Sequence, residues 1–153
     1  MFRKAVEIAV KAHKEQKDKS GVDYICHPLT VALKCETQEQ KVVAVLHDVI
    51  EDSSVTLEEL KTLNIFPACV LEALGLLVHD KRIPYQEYIQ RIADSGNVLA
   101  IFVKLKDIED NTDPARMFLS EDEAQAKIRL EKYNLAYNKL YEVYKRIIRH
   151  LCR

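Results

Sequence analysis

The stretch Val42-Val43-Ala44-Val45-Leu46-His47-Asp48-Val49-Ile50-Glu51-Asp52 changes character at its midpoint. Its first half is wholly apolar. It continues from Thr37 and predicts a helix over Thr37 to Val49, ended by Ser53 and Ser54. A helix apolar on most of its sides belongs at the centre of a bundle, where neighbours cover every face. The second half puts one imidazole and three carboxylates on about two helical turns. Glu51 follows His47 by four residues and Asp48 by three, spacings that bring side chains onto one face. His47 and Asp48 are adjacent and diverge by about 100° on a regular helix. Both serve one point only at a helix edge that faces a cleft.

Outward from this stretch the pattern stays helical. Residues 2–17 repeat Phe2, Ala5, Val6, Ala9, Val10 and His13 at helical spacing. Lys17-Asp18-Lys19-Ser20-Gly21 reads as a loop. Pro28 suits the first turn of a helix that runs through Leu29, Val31, Ala32 and Leu33, because no N–H partner is lost there. Thr56-Leu57-Glu58-Glu59 matches a capping box and opens a short helix through Leu63. Asn64 to Pro67 separates it from a helix over Ala68 to Val78. His79 to Pro84 is a loop, Tyr85 to Ala93 a helix, and Ser95-Gly96-Asn97 a turn. Residues 98–109 form another mostly apolar helix, broken by Asn111-Thr112-Asp113-Pro114. Ser120-Glu121-Asp122-Glu123 is a second capping box. It opens a long final helix with Ala124, Ile128, Tyr133, Tyr137, Leu140, Tyr144, Ile147 and Leu151 on or near one face. No alternation demands a strand, and there is neither an internal repeat nor a low-complexity segment. The expected fold class is all-α.

A length of 153 residues fits one domain over 1–153 with its own core. Three glycines and four prolines are few chain-breakers for this length, which favours long helices. The net charge of −1 provides no bulk attraction to nucleic acid or to an anionic membrane, so neither is an expected partner. Cys26, Cys35, Cys69 and Cys152 form no C-x-x-C pair, and reduced thiols are expected rather than a disulfide framework or a structural zinc site. The N-terminus alternates charge with apolar residues and lacks the continuous apolar core of a signal peptide. No stretch approaches membrane-spanning length. A cytoplasmic protein is the simplest expectation; oligomeric state stays open.

The chemistry-bearing positions are His27, His47-Asp48, Glu51-Asp52 and Asp107. Carboxylates this close repel one another, and a divalent cation removes that repulsion. Two imidazoles and two carboxylates make a mixed N/O donor set. With open positions it suits a six-coordinate first-row ion, Mn²⁺ or Fe²⁺, with Zn²⁺ a further option. Such an ion acidifies water and offsets phosphoryl charge. Glu51 or Asp52, just outside the metal set, is placed to move the proton. Asp107 caps no obvious helix and is expected to be removable with little loss of fold. His13 is expected to be a packing residue, His79 a loop residue and His150 a terminal one. The tyrosines of the last helix are expected in the core, with room for one in the cleft.

Three ordered blocks resemble a known family. They are Gly21-x-x-Tyr24-Ile25-x-His27-Pro28-Leu29-x-Val31-Ala32, then Leu46-His47-Asp48-Val49-Ile50-Glu51-Asp52, then Val103-Lys104-Leu105-x-Asp107-x-x-x-Asn111. They are similar to the hydrolase domain of the RelA/SpoT family, and more closely to its free-standing form, the small alarmone hydrolases. The resemblance spans about Ala5 to about Tyr144. It implies an all-α HD fold, Mn²⁺, and removal of the 3′ pyrophosphate from guanosine tetra- or pentaphosphate. It implies His27, His47, Asp48 and Asp107 as metal ligands and Glu51 and Asp52 as the pair that handles the attacking water. Lys19, Ser20 and Asn111 become the implied substrate contacts. The sequence ends soon after the third block, so a hydrolase without a synthetase segment is expected.

Two departures bear on substrate. Family members carry an Arg-Lys pair before Gly21 where this chain has Asp18-Lys19. Asp18 cannot stack on a base as a guanidinium does. After Asp107, the family's usual basic and imidazole residues give way to Ile108-Glu109-Asp110, which predicts a more acidic site rim. The lead expectation is hydrolysis of guanosine 3′,5′-bispyrophosphate. The alternatives are HD hydrolysis of another nucleotide (mono-, tri- or dinucleotide) and a non-catalytic nucleotide sensor, the latter disfavoured because a pure binder needs no poised base.

Overall fold

The computed structural model describes residues 1–114 and 122–151. Its helices are α1 (Phe2–Ala12), α2 (Cys26–Leu33), α3 (Gln38–Leu46), α4 (Val49–Asp52), α5 (Leu57–Thr62), α6 (Ala68–Leu77), α7 (Tyr85–Ser95), α8 (Val98–Asn111) and α9 (Glu123–Leu151). Among the described residues the sole extended pairing is an isolated antiparallel bridge between Lys17 and Asp23. The all-α expectation is met.

α3 is the central helix. Thr37 and Gln40 close a capping box at its start, satisfying N–H groups that would otherwise lack partners. Val42, Val43, Ala44, Val45 and Leu46 are all fully buried. They are covered by α1, α2, α6 and α8. Burial of each large aliphatic side chain contributes about 1.5–3 kcal/mol. α8 is the second internal helix and packs on α2, α3, α6, α7 and α9. It starts at Asn97, whose side chain accepts from the Ala100 N–H at 2.9 Å. Just before it, α7 ends on Gly96 with φ of +62°, a left-handed stop that glycine adopts without strain. α9 lies on α7 and α8.

Several boundaries move relative to the sequence pattern. α1 ends at Ala12 rather than near 17, because residues 13–16 turn into the 17–23 loop: Tyr24 N–H bonds the Gln16 carbonyl at 2.9 Å. The expected helix over Thr37 to Val49 is in fact two helices. α3 stops at Leu46, and Asp48 takes φ −96° and ψ −9° before α4 begins, the sparsely populated region common in active sites. The Thr56–Glu59 capping box forms as expected. On α9 the buried stripe is shorter than the pattern suggested. Ala136 and Leu140 are buried, whereas Ile128 and Leu151 are 68% and 71% exposed. Ser120 of the second capping box and Cys152 lie outside the described residues. Cys26, Cys35 and Cys69 are free thiols. Burial pushes the Cys35 thiol up to about 11, the behaviour of an inert packing cysteine. No helix among the described residues is long and apolar enough to cross a membrane.

Candidate metal centre and cleft

The three sequence blocks converge where α2, the α3–α4 junction and α8 meet. His27 comes from the first turn of α2, His47 and Asp48 from the junction, and Asp107 from α8. Donor atoms of His27, His47 and Asp107 all lie within 4.8 Å of one another. Asp48 Oδ2 sits 3.7 Å from His27 Nε2 and 3.1 Å from His47 Nε2. Asp107 Oδ1 is 3.1 Å from His27 Nε2 and 3.5 Å from His47 Nε2. The break after Leu46 explains how adjacent residues serve one point. They do not share the edge of a continuous helix; they occupy the turn between two.

Each imidazole is anchored from behind. His47 Nδ1 is 2.7 Å from the Ala44 carbonyl, in the last turn of α3 where carbonyls lack helical partners. His27 Nδ1 is 2.8 Å from Asp110 Oδ2. Both Nε2 atoms therefore face the cluster. His47 Nε2 is buried and makes no hydrogen bond. An orphaned buried nitrogen aimed at two carboxylates is what a bound cation would satisfy.

The electrostatics tell the same story. Burial alone would lower the pKa of His47, but Asp48 and Asp107 outweigh it and hold it well above its ordinary value. For His27 burial is likewise overcome, by Asp107 and Asp110. Asp48 is kept below the usual carboxylate range, despite burial, by His47 and His27. Without a cation the cluster balances itself by taking up protons; a dication takes the place of those protons.

Asp107 has further partners. Lys104 Nζ donates to its Oδ2 at 2.6 Å, and Asn111 Nδ2 donates to its Oδ1 at 2.6 Å. Lys104 lines the cleft and is largely but not fully buried, its side chain 12% exposed. Although burial opposes the charge, Asp107 holds Lys104 well above its usual value. Asp107 is thus tied into the core electrostatically, and the expectation that it is dispensable to the fold does not stand. Asn111 sits in the cleft wall but spends one amide N–H on Asp107.

A cleft of about 270 Å³ opens beside the cluster, near the lower end for small-molecule sites, roughly 300–1,000 Å³. Asp48, Glu51, Asp52 and Asp107 line its acidic side. Glu51 Oε2 accepts from the His79 backbone N–H at 3.2 Å. Burial, helped by Asp52 and Asp48, raises the Glu51 pKa. Lys81 Nζ lies 3.8 Å from Glu51 and 3.5 Å from Asp52. The lining is also aromatic and basic. Tyr85, Tyr133 and Lys132 contribute to it, with Lys132 Nζ 4.6 and 4.8 Å from the two ring centres. The Tyr85 hydroxyl is buried there without a hydrogen-bond partner.

Some cleft residues escaped the sequence reading. Tyr24 donates to Asp48 Oδ2 at 2.7 Å; its place three residues before His27 was the available signal. Lys104 precedes Asp107 by three, the spacing of a helical ion pair. His79 is the expected loop residue, but its ring stacks on Tyr88 at 4.6 Å and borders the cleft. Tyr133 is the last-helix tyrosine that reaches it. His13 packs in the core as expected, against Tyr24 at 5.1 Å.

Lys19 and Ser20 belong to the 17–23 loop and are not among the residues lining the cleft. Asp18 organises that loop. Its Oδ1 accepts from the N–H groups of Ser20 and Val22 at 2.8 and 3.0 Å. The acidic rim after Asp107 is not what forms. Ile108 and Asp110 are both 1% exposed, and Glu109 pairs with Lys106 at 2.9 Å and accepts from the Tyr137 hydroxyl at 3.2 Å. A helical period turns these residues inward or sideways rather than to the cleft mouth.

The architecture is an all-α fold similar to that of HD-type hydrolases. Within that class, sequence and fold are both similar to RelA/SpoT-like hydrolases. The chain is 36% identical over 90 residues to the guanosine-3′,5′-bis(diphosphate) 3′-pyrophosphohydrolase MESH1 of Danio rerio, covering 54% of this chain and 49% of that one. It is 45% identical over 64 residues to the enzyme so named in Aquifex aeolicus, covering 39% of this chain and 9% of that one. The bifunctional (p)ppGpp synthase/hydrolase SpoT of Escherichia coli matches at 40% over 68 residues, covering 40% and 9%. The matched regions thus span about half of these curated relatives or much less. Among solved structures, a metazoan ortholog of SpoT, described as hydrolysing ppGpp and playing a role in starvation responses, matches with a TM-score of 0.72 and 19% identity, over 97% of this chain and 94% of that one. No protein-family model matches the chain.

Proposed function

We propose that this chain is a cytoplasmic, single-domain, divalent-metal phosphohydrolase whose substrate is a nucleotide, with guanosine 3′,5′-bispyrophosphate as the lead. The observation that carries the reading is the cluster of His27, His47 and Asp107 with Asp48 against both imidazoles and both Nδ1 atoms occupied, beside a carboxylate, Glu51, whose pKa is raised. Similarity to proteins named as 3′-pyrophosphohydrolases supports the substrate.

His27, His47, Asp48 and Asp107 would hold the ion, and the N/O donor set suits Mn²⁺ first, then Fe²⁺ or Zn²⁺. When bound, the ion supplies an acidified water and relief of phosphoryl charge. The chain's own groups do the rest. Glu51 accepts the proton of the attacking water, with Asp52 beside it. The water oxygen bonds to the phosphorus attached at the ribose 3′ oxygen. That P–O bond breaks, pyrophosphate leaves, and the 3′ oxygen takes a proton. Lys132, Tyr85 and Tyr133 offer charge and aromatic faces to the remainder of the substrate. Asn111 completes the proposed contacts inside the cleft, and Lys19 and Ser20, outside its lining, are proposed to meet a part of the substrate that extends beyond it.

Asp18 favours a second reading, that another nucleotide is preferred. It stands where relatives present a base-facing Arg, and its carboxylate is committed to the loop backbone. The test is a panel of nucleotides incubated with Mn²⁺, followed by chromatography. Release of pyrophosphate from the guanosine compound supports the lead. Cleavage of another nucleotide alone replaces that substrate, and tight binding without turnover of any replaces the enzyme reading.

A further inference from the structure

Asp110 is a buried carboxylate that takes no part in the chemistry above. It lies one helical turn after Asp107 on α8, so the two share a face. The His27 ring is held between them. Asp107 Oδ1 lies 3.1 Å from Nε2, and Asp110 Oδ2 lies 2.8 Å from Nδ1. The second Asp110 oxygen accepts from Lys34 Nζ at 2.9 Å. Lys34 immediately follows α2, the helix that carries His27.

We propose that Asp110, backed by Lys34, is a positioning residue that fixes His27 with its proton on Nδ1 and its Nε2 lone pair turned into the cluster, and so sets the affinity of the site for a divalent cation. The inference rests on the metal reading given above. An ionised carboxylate only accepts hydrogen bonds, so the 2.8 Å contact requires a hydrogen on Nδ1. A neutral ring with Nδ1–H leaves Nε2 as the donor atom. His47 gains the same tautomer from the Ala44 carbonyl. The two rings are therefore matched in tautomer but unlike in support: a neutral dipole behind one, a charge behind the other. The charged acceptor makes His27 the more basic ligand. Burying that charge is costly unless it is paired, and Lys34 provides the pair.

A structural role alone would have Asp110 merely tie α2 to α8. The two roles separate experimentally. Mn²⁺ binding is measured by calorimetry for wild type, Asp110→Ala, Asp110→Asn and Lys34→Met, with circular dichroism as the check on fold. The expected result is a dissociation constant weakened roughly 10–100-fold in Asp110→Ala. Asp110→Asn weakens less, because an amide oxygen still accepts from Nδ1, and Lys34→Met weakens least. The ¹⁵N shifts of His27 in protein loaded with diamagnetic Zn²⁺ should report one ring form in wild type, metal on Nε2 and hydrogen on Nδ1, and a mixture in Asp110→Ala. A purely structural tie would move stability and leave both readouts unchanged. If Asp110→Ala does not fold, Asp110→Asn carries the test, and wild-type affinity in that variant overturns the role. Wild type binding Mn²⁺ with the folded Asp110→Ala equally tight overturns the assignment of Asp110 alone. Wild type with no affinity for Mn²⁺ overturns the metal reading, and this inference with it.

Discussion

Replacing Asp107 with Ala tests whether this residue serves the fold as well as the site. Its carboxylate takes a hydrogen bond from Lys104 at 2.6 Å and another from Asn111 at 2.6 Å. In Asp107→Ala the Lys104 ammonium stays buried with that partner gone. Stranding one member of a buried pair costs about 3–5 kcal/mol. The Tyr88 ring, 5.3 Å from Lys104 Nζ, retains part of the stabilisation through its π face, so the lower end, about 3 kcal/mol, is expected. Against a total of roughly 5–15 kcal/mol for a domain, that is a large loss. Urea unfolding followed by far-UV circular dichroism, in chelator so that metal does not contribute, measures it. Lys104→Met combined with Asp107→Ala should recover part of the loss, since neither side chain then requires a counter-charge. An Asp107→Ala protein within about 0.5 kcal/mol of wild type, the range of an ordinary surface change, would refute the reasoning. So would a double variant no more stable than the single one.

Three further outcomes are expected. Glu51→Gln should keep metal binding and stability but lose about 10²–10⁴-fold in kcat, the worth of a general base; unchanged turnover removes Glu51 from the mechanism. Burial and the neighbouring carboxylates raise the Glu51 pKa, so in chelator its carboxyl ¹³C shift should titrate above about 4.3, the ordinary Glu value; a midpoint at or below that value contradicts this. Tyr24→Phe removes the hydroxyl donated to Asp48 and should weaken Mn²⁺ binding by about tenfold, the lower end for a supporting hydrogen bond; calorimetry showing wild-type affinity rejects it. Asp18→Arg forfeits two backbone hydrogen bonds, each contributing about 0.5–1.5 kcal/mol, so hydrogen exchange at Ser20 and Val22 should accelerate, and unchanged protection there would show that the loop does not depend on Asp18.

What was legible in the sequence follows from which forces act locally. Helical periodicity and capping boxes are short-range, so α3, α5, α6 and α7 emerge within a few residues of their expected bounds. His47 and Asp48, with Glu51 and Asp52, were legible because those residue types have little other reason to gather beside an apolar helix, whereas His27 and Asp107 were drawn in by the resemblance of three ordered blocks. The break after Leu46 was not legible: every residue from Val42 to Ile50 is compatible with helix, and the turn is fixed by what packs on it. The roles of Lys104 and Asp110 were hidden for a related reason. A charge written next to an apolar residue in sequence reads as surface until the partner from another helix is known, and the partner of Asp110 on α2 lies more than seventy residues away.

Read linearly, Ile108-Glu109-Asp110 sets three unfavourable residues at the rim of a phosphate site. Folded, none of the three opposes an incoming phosphate there: Ile108 enters the core, Glu109 binds Lys106 and Tyr137, and Asp110 stands behind His27. The charge facing the cleft comes instead from carboxylates at the metal cluster and from the cations Lys104 and Lys132. A polyanionic ligand fits such a cleft only if a cation masks the acidic side. On the proposed function, metal and substrate would therefore be coupled electrostatically, and each should bind more tightly in the presence of the other.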